Sequence, residues 1–148
     1  MTKHSHLDLG NFLPYLINRV GSALVANFSE HALAAHDLSI AMWRVLAALS
    51  TNGEQRQIDL AAMTSTDAST LSRLVTRLVR LGLVTRSRSK TSSREVVIAL
   101  SPKGTALVDR LIPIARQLQD IAVAGIPAKD MTVVKRALRK MHENMAGG

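Results

Sequence analysis

The sequence predicts an all-α fold that carries one small β-hairpin. Along most of the 148 residues, apolar side chains recur every three or four positions, the spacing that places them on one face of an α-helix. The period changes once, after Gly82, where two short runs rich in β-branched residues flank the polar segment "SKTSS". With 47% hydrophobic residues the chain is apolar enough for a core of its own, so residues 1–148 are assigned to one domain.

The first part of the chain predicts two helices. The first covers residues 11–35, with Pro14 in its first turn, where a missing N–H costs little. Its apolar stripe consists of Leu13, Leu16, Ile17, Val20, Leu24 and Phe28. Ser39 is a suitable N-cap for the second helix, which ends at the Asn-Gly turn in "STNGE". Its inner face consists of Met42, Trp43, Leu46 and Leu49.

The middle of the chain predicts a short helix, a basic helix and the hairpin. The short helix covers Gln57–Met63. Asp67 is a suitable N-cap for the basic helix, and Gly82 suits the position just past its end. The hairpin strands are "LVTRSR" and "REVVIAL".

Two further helices close the chain. Ser101 and Pro102 suit the N-cap and first position of the fifth helix, which runs to about residue 123 with a bend expected at Pro113. The last helix carries an apolar stripe made of Val134, Ala137, Leu138, Met141 and Met145.

The basic helix lies in the segment "DASTLSRLVTRLVRLGLV". At about 100° per residue, Arg77 and Arg80 fall within roughly 40° of Arg73, and no acid lies between Ser69 and Arg80. Hydroxyl groups share this face, from Thr66, Ser69 and Thr70. The opposite face is apolar and consists of Leu71, Leu74, Val75 and Leu78. A solvated helix face usually mixes both signs of charge, so an unbroken arginine face indicates an anionic partner.

The charge balance points the same way. The formal net charge is +8 and the pI about 10.9, which fits nucleic acid or an anionic membrane surface. Residues 54–100 contain eight basic and four acidic residues, a local excess of +4. A membrane-surface role would need exposed apolar residues, whereas the apolar back of the basic helix is required for a core. Aromatic residues make up only 3%, which argues against base-stacking on single strands.

A short helix, a tight turn and a basic helix form a helix-turn-helix, and a hairpin directly behind makes it winged. The basic helix would then lie in the major groove of duplex DNA, with its N-terminal hydroxyls and Arg73 near base edges. Arg77 is expected to touch phosphate, and Arg80, near the far end of the helix, to favour the helix dipole.

Three stretches resemble the MarR family: "WRVLAAL", "STLSRLVTRLVRLGLVTR" and "REVVIALSPKG". The resemblance implies a homodimer held by residues 11–35 and 102–146, with residues 39–100 as the winged helix-turn-helix that binds a pseudo-palindromic operator in double-stranded DNA. The expected DNA contacts are Thr66, Ser69, Thr70, Arg73, Arg77, Arg88, Lys90 and Arg94.

The wing departs from the family pattern. Relatives commonly carry acidic residues where this chain has Ser89 and Ser92, so Arg94 lacks the carboxylate that would hold it. This predicts a wing that is looser when free and orders on DNA, with Arg94 reaching the minor groove.

The resemblance also implies a small-molecule pocket between the dimerisation helices and the DNA-binding part. Many relatives respond to anionic aromatic compounds or their coenzyme A thioesters, and the basic excess favours such an effector here. Candidate ligand residues are Tyr15, Arg19, His36 and Trp43. Trp43 alternatively anchors the core, and Tyr15 with Arg19 alternatively belongs to the dimer interface, which is the favoured interpretation of that pair. His31 and His36 lack the spacing of metal ligands, so no metal is expected.

Other functions find little support. The chain has no cysteine, no nucleophile elbow, no phosphate-binding glycine loop and no paired carboxylates, so neither an enzyme nor a bound cofactor is expected. The sequence shows no signal-like segment and no uninterrupted apolar run of about 20 residues, so a cytoplasmic protein without a membrane span is expected. The predicted function is a ligand-responsive regulator, most often a repressor. The alternatives are an architectural protein that coats DNA without sequence preference and a protein-interaction module.

Overall fold

The computed structural model describes residues 5–91 and 94–147. Its helices are α1 (Leu13–Phe28), α2 (Ile40–Asn52), α3 (Gln57–Met63), α4 (Ala68–Arg80), α5 (Pro102–Ala122) and α6 (Ala128–Ala146). Its strands are β1 (Gln55–Arg56), β2 (Val84–Arg88) and β3 (Val96–Leu100). The predicted fold class and order of elements are confirmed.

The first helix differs from its predicted bounds. A 3₁₀ turn at Leu9–Asn11 precedes α1, and the helical path beyond α1 widens into a π-turn at Ser29–Leu33 and then tightens into a 3₁₀ turn at Ala34–His36. Asp37 then adopts a left-handed conformation (φ 56°), and Leu38 N donates to Leu33 O at 3.2 Å. This is a Schellman-type end, and the burial of both leucines holds it in place.

Local capping explains most of the other boundaries. The Ser39 hydroxyl accepts from Met42 N at 3.2 Å, the Asp67 carboxylate from Thr70 N, and the Ser101 hydroxyl from Gly104 N, as the sequence predicted. Gly82 has a φ of 74° and ends α4, again as predicted. Pro113 lies inside α5.

The sheet has three antiparallel strands in the order β1-β3-β2. The predicted hairpin pairs Val84 with Leu100 and Arg88 with Val96. Strand β1 was not predicted from the sequence; its two residues pair with Ile98 and Val97 of β3. This third strand joins the start of α3 directly to the wing.

The core lies between α2, α4, α5 and the sheet. Its largest fully buried side chains are Leu33, Met42, Leu46, Leu49, Leu60, Leu71, Leu78, Ile98 and Leu111. Trp43 is partly buried beside this core, with its ring edge-on to Phe28 at 5.1 Å between centroids. The apolar back of α4 therefore packs inward and leaves its arginine face outside.

The outer helices α1 and α6 keep large apolar side chains exposed. They enclose an apolar groove of about 480 Å³, hereafter the α1–α6 groove. The groove is lined by Leu13, Leu16, Ile17, Val20, Gly21, Leu24, Val134, Ala137, Leu138 and Met141.

Within the described residues, no single helix has the length and apolar character to cross a bilayer. Leu13–His36 and Ile40–Asn52 meet that requirement only as a pair bent by 83°, and α2 contributes much of the core.

Candidate nucleic-acid interface

Hydroxyl groups surround the N-cap carboxylate at the start of α4. Ser69 Oγ donates to Asp67 Oδ1 at 2.8 Å, and Thr70 Oγ1 donates to Asp67 Oδ2 at 2.8 Å. Thr70 N donates to Asp67 Oδ1 at 2.8 Å. Together with the charge of Arg73, these hydrogen bonds lower the pKa of Asp67 to about 2, with the backbone bond from Thr70 as the largest cause. The carboxylate therefore stays ionised and orients both hydroxyls.

The arginine face of α4 is exposed along its length. Arg73, Arg77 and Arg80 form with Ser72 and Thr76 a shallow depression of about 310 Å³. Arg73 Nη2 donates to Thr70 Oγ1 at 3.3 Å, which directs this guanidinium toward the N-terminal end of the helix. The three arginines thus present donors along a helix whose opposite side is buried, the arrangement that reading a major groove requires.

Thr66 occupies the turn between α3 and α4. It is half-buried, and its hydroxyl donates to Thr64 O at 3.1 Å. The neighbouring Ser65 has a φ of 52°. Much of the polar capacity of Thr66 is thus used within the turn, and its predicted contact with DNA stays a prediction.

The wing carries the remaining predicted DNA contacts. Arg88, Lys90 and Arg94 are exposed at the far end of the hairpin. Ser89 N donates to Glu95 O at 2.9 Å, which closes the hairpin just before its tip. Within residues 5–91 and 94–147, no acid pairs with Arg94. Ser92 lies outside the described residues, so the prediction about the wing tip stays open.

Two arginines that the sequence analysis did not single out hold the sheet against the helix-turn-helix. At one edge, Arg86 of β2 donates to Ser72 O at 2.9 Å and to Thr76 Oγ1 at 3.1 Å, both on α4. At the other edge, Arg56 of β1 pairs with Asp59 at 2.7 Å and with Glu95 at 2.9 Å. The Asp59 and then the Glu95 hydrogen bonds raise the pKa of Arg56 above its ordinary value, so it stays charged.

Helix α5 contacts the end of α4 at short range. Lys103 Nζ donates to Leu81 O at 2.9 Å, and Ser101 N donates to Leu83 O at 3.0 Å. Gly104 lies so close to this connection that an added Cβ would be 2.0 Å from Leu83 O. A long outer helix is therefore attached directly to the end of the arginine-bearing helix.

The four predicted ligand residues fall in different places. Arg19 Nη1 donates to Tyr15 Oη at 3.3 Å, and its guanidinium lies over the Tyr15 ring at 5.6 Å. Trp43 packs on Phe28, as described above. His36 lines a separate cavity of about 150 Å³, together with Leu81, Leu83, Lys103, Leu107 and Arg110.

A larger cleft lies between α1 and α2, hereafter the α1–α2 cleft. Its volume is about 610 Å³, and its lining residues are Ile17, Asn18, Gly21, Ser22, Val25, Ala26, Ile40 and Arg44. Arg44 is its one cation and is exposed. No periodic pattern in the sequence singles out Arg44, because the cleft that it lines is formed jointly by residues of α1 and α2. Within the described residues, no cluster of three histidines or acids is placed to hold a metal ion.

Comparison with known proteins identifies relatives over nearly the whole chain. The family model described as "MarR family" matches residues 38–96. A MarR family transcriptional regulator from Silicibacter pomeroyi is 32% identical, with 95% of this chain and 96% of that chain covered and a TM-score of 0.83. The transcriptional repressor NicR of Pseudomonas putida is 29% identical over 90% of this chain and 84% of its own length.

A further relative connects the fold to a ligand. BpsR of Bordetella bronchiseptica, whose DNA binding is regulated by 6-hydroxynicotinic acid, is 28% identical. The alignment covers 88% of this chain and 98% of that one, with a TM-score of 0.78.

Proposed function

This chain belongs to the MarR family of transcriptional regulators, and we propose that it is a repressor that binds a pseudo-palindromic operator as a homodimer and releases it when a small anionic effector binds. The observation that carries the proposal is the exposed arginine face of α4, backed by a buried apolar face and flanked by a basic wing. A transcriptional regulator must have access to chromosomal DNA, so we assign this protein to the cytoplasm.

Roles within the interface follow from position. Arg73, near the N-terminal end of α4, reads a base edge, and a bidentate arginine prefers guanine. Arg77 contacts phosphate one turn further along. Arg88, Lys90 and Arg94 contact the backbone or the minor groove beside the site.

The α1–α6 groove supports the homodimer. Leu16, Ile17 and Leu138 are each 41–42% exposed, although they belong to a continuous apolar surface. A second copy of the chain would cover this surface and set the distance between two copies of α4 at about 34 Å, one turn of DNA. Leu138→Glu places a charge in the groove and should convert dimer to monomer in sedimentation analysis. A dimer that survives this change would contradict the assignment.

The α1–α2 cleft is the better candidate for the effector. Its volume lies in the range of about 300–1,000 Å³ that is typical of ligand pockets, whereas the cavity beside His36 is smaller. Arg44 would bind a carboxylate, and Asn18 and Ser22 would hydrogen-bond a second polar group on a planar ring. The regulation of BpsR by 6-hydroxynicotinic acid supports this class of ligand. Tyr15 and Arg19 already bind each other, which supports their assignment to the dimer interface.

The two functions are coupled through geometry. The α1–α2 cleft shares Ile17 and Gly21 with the α1–α6 groove, so a ligand in the cleft touches the surface that positions the second subunit. An effector that binds best when the two α4 helices are wrongly spaced would shift the population away from the DNA-binding form.

The first test uses a DNA duplex that is selected by binding to the protein. Wild-type protein enriches a duplex from a random library, and fluorescence anisotropy then compares this duplex with a scrambled one at 50 and 200 mM salt. We expect binding to the enriched duplex alone, and a loss of roughly 10³ in affinity between the two salts if about six phosphates are contacted. Equal binding to both duplexes would indicate an architectural protein instead. No binding to either at low salt would overturn the argument from the arginine face.

The second test concerns the effector. Benzoate, salicylate and 6-hydroxynicotinate are titrated into the protein–DNA complex, with Arg44→Gln as the variant and Arg110→Gln as the control. Arg44→Gln should bind DNA normally and respond to about 10- to 100-fold more ligand, the loss of one charge-assisted hydrogen bond. An unchanged ligand response in Arg44→Gln would exclude the α1–α2 cleft.

A further inference from the structure

The wing does not pack tightly against the short helix α3. A cavity of about 440 Å³ lies between them, with Ala61, Ala68, Leu71 and Val96 among its lining residues. Side-chain packing therefore does not by itself fix the distance between wing and helix-turn-helix on this side.

One ion-pair cluster spans this gap. Arg56 forms a bidentate contact with Asp59, from Nε at 2.7 Å and from Nη2 at 3.1 Å, which anchors the guanidinium on α3. Its remaining terminal nitrogen, Nη1, reaches Glu95 Oε1 at 2.9 Å. Only a guanidinium has enough donors in one plane to hold both carboxylates at once.

The cluster acts at a sensitive point of the wing. Glu95 immediately follows Arg94, and its own carbonyl closes the hairpin through Ser89 N. Arg86 holds the opposite edge of the sheet on α4, as described above. The sheet is thus attached at both edges, and the Arg56 edge is the one beside Arg94.

We propose that Arg56 is a positioning residue for DNA binding, which acts through Glu95 to set the wing, and with it Arg94, relative to α4. The inference rests on the proposed function. The family resemblance implies an acid near the wing tip that restrains the arginine matching Arg94, whereas this chain has Ser89 and Ser92 there. In this chain Glu95, which closes the hairpin just before its tip, would carry the restraint instead. The charges argue against direct contact with DNA, because one arginine with two carboxylates has a local net charge of −1.

Exposure limits the size of the effect. The three side chains are 36–48% exposed, and an exposed pair contributes little to global stability. The cluster should therefore be visible in DNA affinity rather than in thermal stability. We expect Arg56→Gln to weaken binding to the enriched duplex by about two- to tenfold, with an unchanged salt slope.

The decisive variant is Glu95→Gln, because a positioning role and a purely electrostatic role predict opposite changes in its DNA affinity. If Glu95 positions the wing, its neutralisation weakens binding even though a negative charge near DNA is removed. If charge alone matters, binding becomes tighter. Glu54→Gln, an exposed acid in the same region, is the matched control and should bind as well as wild type or slightly better.

The experiment is a double-mutant cycle on the dissociation constant, with hydroxyl-radical footprints of each complex. The double variant Arg56→Gln/Glu95→Gln should bind no worse than either single variant, and Arg56→Lys should not restore affinity because it lacks the planar fork. Footprints of the variants should lose protection beside the minor groove and keep it over the major-groove contacts.

Each alternative outcome is distinct. The positioning role would be overturned if Glu95→Gln bound DNA more tightly than wild type, or if the losses of affinity in the double variant were additive. It would also be overturned if the salt slope of Arg56→Gln were smaller by about one unit, because that change signals direct phosphate contact. A wild-type protein that enriches no duplex would instead overturn the proposed function, and the positioning role with it.

Discussion

Replacing Gly104 by alanine tests whether α5 and the end of α4 are held as closely as the structure indicates. The new Cβ would lie 2.0 Å from Leu83 O, 2.9 Å from Leu83 C and 3.3 Å from Leu100 Cδ2. The nearest of these is a backbone atom, which cannot rotate away as a side chain would. To reach an ordinary separation of about 3.4 Å, α5 must withdraw by roughly 1.4 Å.

The cost follows from what this withdrawal breaks. The hydrogen bonds from Ser101 N to Leu83 O and from Lys103 Nζ to Leu81 O would be lost, at about 1 kcal/mol each. Overpacking adds about 1–3 kcal/mol, and the better helix propensity of alanine returns about 1 kcal/mol. The net destabilisation of Gly104→Ala is therefore roughly 2–4 kcal/mol.

Urea unfolding, monitored by circular dichroism, measures the free energy of unfolding of Gly104→Ala and wild type directly. The protein concentration is held fixed, because a dimer unfolds in a concentration-dependent way. With a slope of about 2 kcal/mol/M, the midpoint should fall by about 1–2 M. Thr105→Ala, at the next and exposed position of the same helix, is the control and should change stability by no more than about 0.5 kcal/mol. Stability equal to or above wild type in Gly104→Ala would refute the close approach.

Three further predictions concern the DNA-binding part. Arg73→Gln should cost about 1–3 kcal/mol of binding free energy and relax the preference at one base pair, whereas Arg77→Gln should weaken binding to all sequences alike and reduce the salt slope by about one. Fluorescence anisotropy on a panel of single-base operator variants separates the two effects. Identical profiles for the two variants would refute the assigned roles. Arg94→Ala should lower both affinity and salt slope, so a variant that retains both would exclude Arg94 from the interface. Because the pKa of Asp67 is lowered from 3.8 to about 2 in the folded protein, its contribution to stability should be complete above about pH 4 and lost as the pH falls toward 2. Urea unfolding across that range should show a steeper pH dependence of stability for wild type than for Asp67→Asn. Parallel curves would contradict the capping role.

The arginine-bearing helix could be predicted from sequence because its determinants are local. Asp67 caps it, Gly82 ends it, and the alternation of leucine with arginine decides which side is buried. Each of these signals is contained within one segment of chain. Of the predicted core positions of α2, Met42, Leu46 and Leu49 are buried, whereas Trp43 is only partly buried and the fully buried Val45 was not predicted.

The attachments between elements could not be predicted this way. Strand β1 has two residues and no detectable period, and it exists only because β3 passes beside it. The contacts of Arg56 with Glu95 and of Arg86 with Ser72 join residues 39 and 14 positions apart, which depends on the assembled fold. Arg44 was missed because only the crossing of α1 and α2 gives it a cleft. The π-turn at Ser29–Leu33 contains no glycine or proline, and two of its residues, Ala32 and Leu33, are buried in the core.

If the start of α4 reads bases as proposed, the hydroxyl groups around Asp67 restrict which bases it can recognise. An ionised carboxylate only accepts hydrogen bonds, so Ser69 and Thr70 have each already committed their single hydroxyl proton to it. What they offer to the outside is lone pairs. In a major groove, lone pairs suit the amino groups of cytosine and adenine and find no partner in the two acceptors of guanine. Base recognition at this end of α4 would thus be shared, with Arg73 binding guanine and the two hydroxyl groups binding the amino groups of cytosine or adenine.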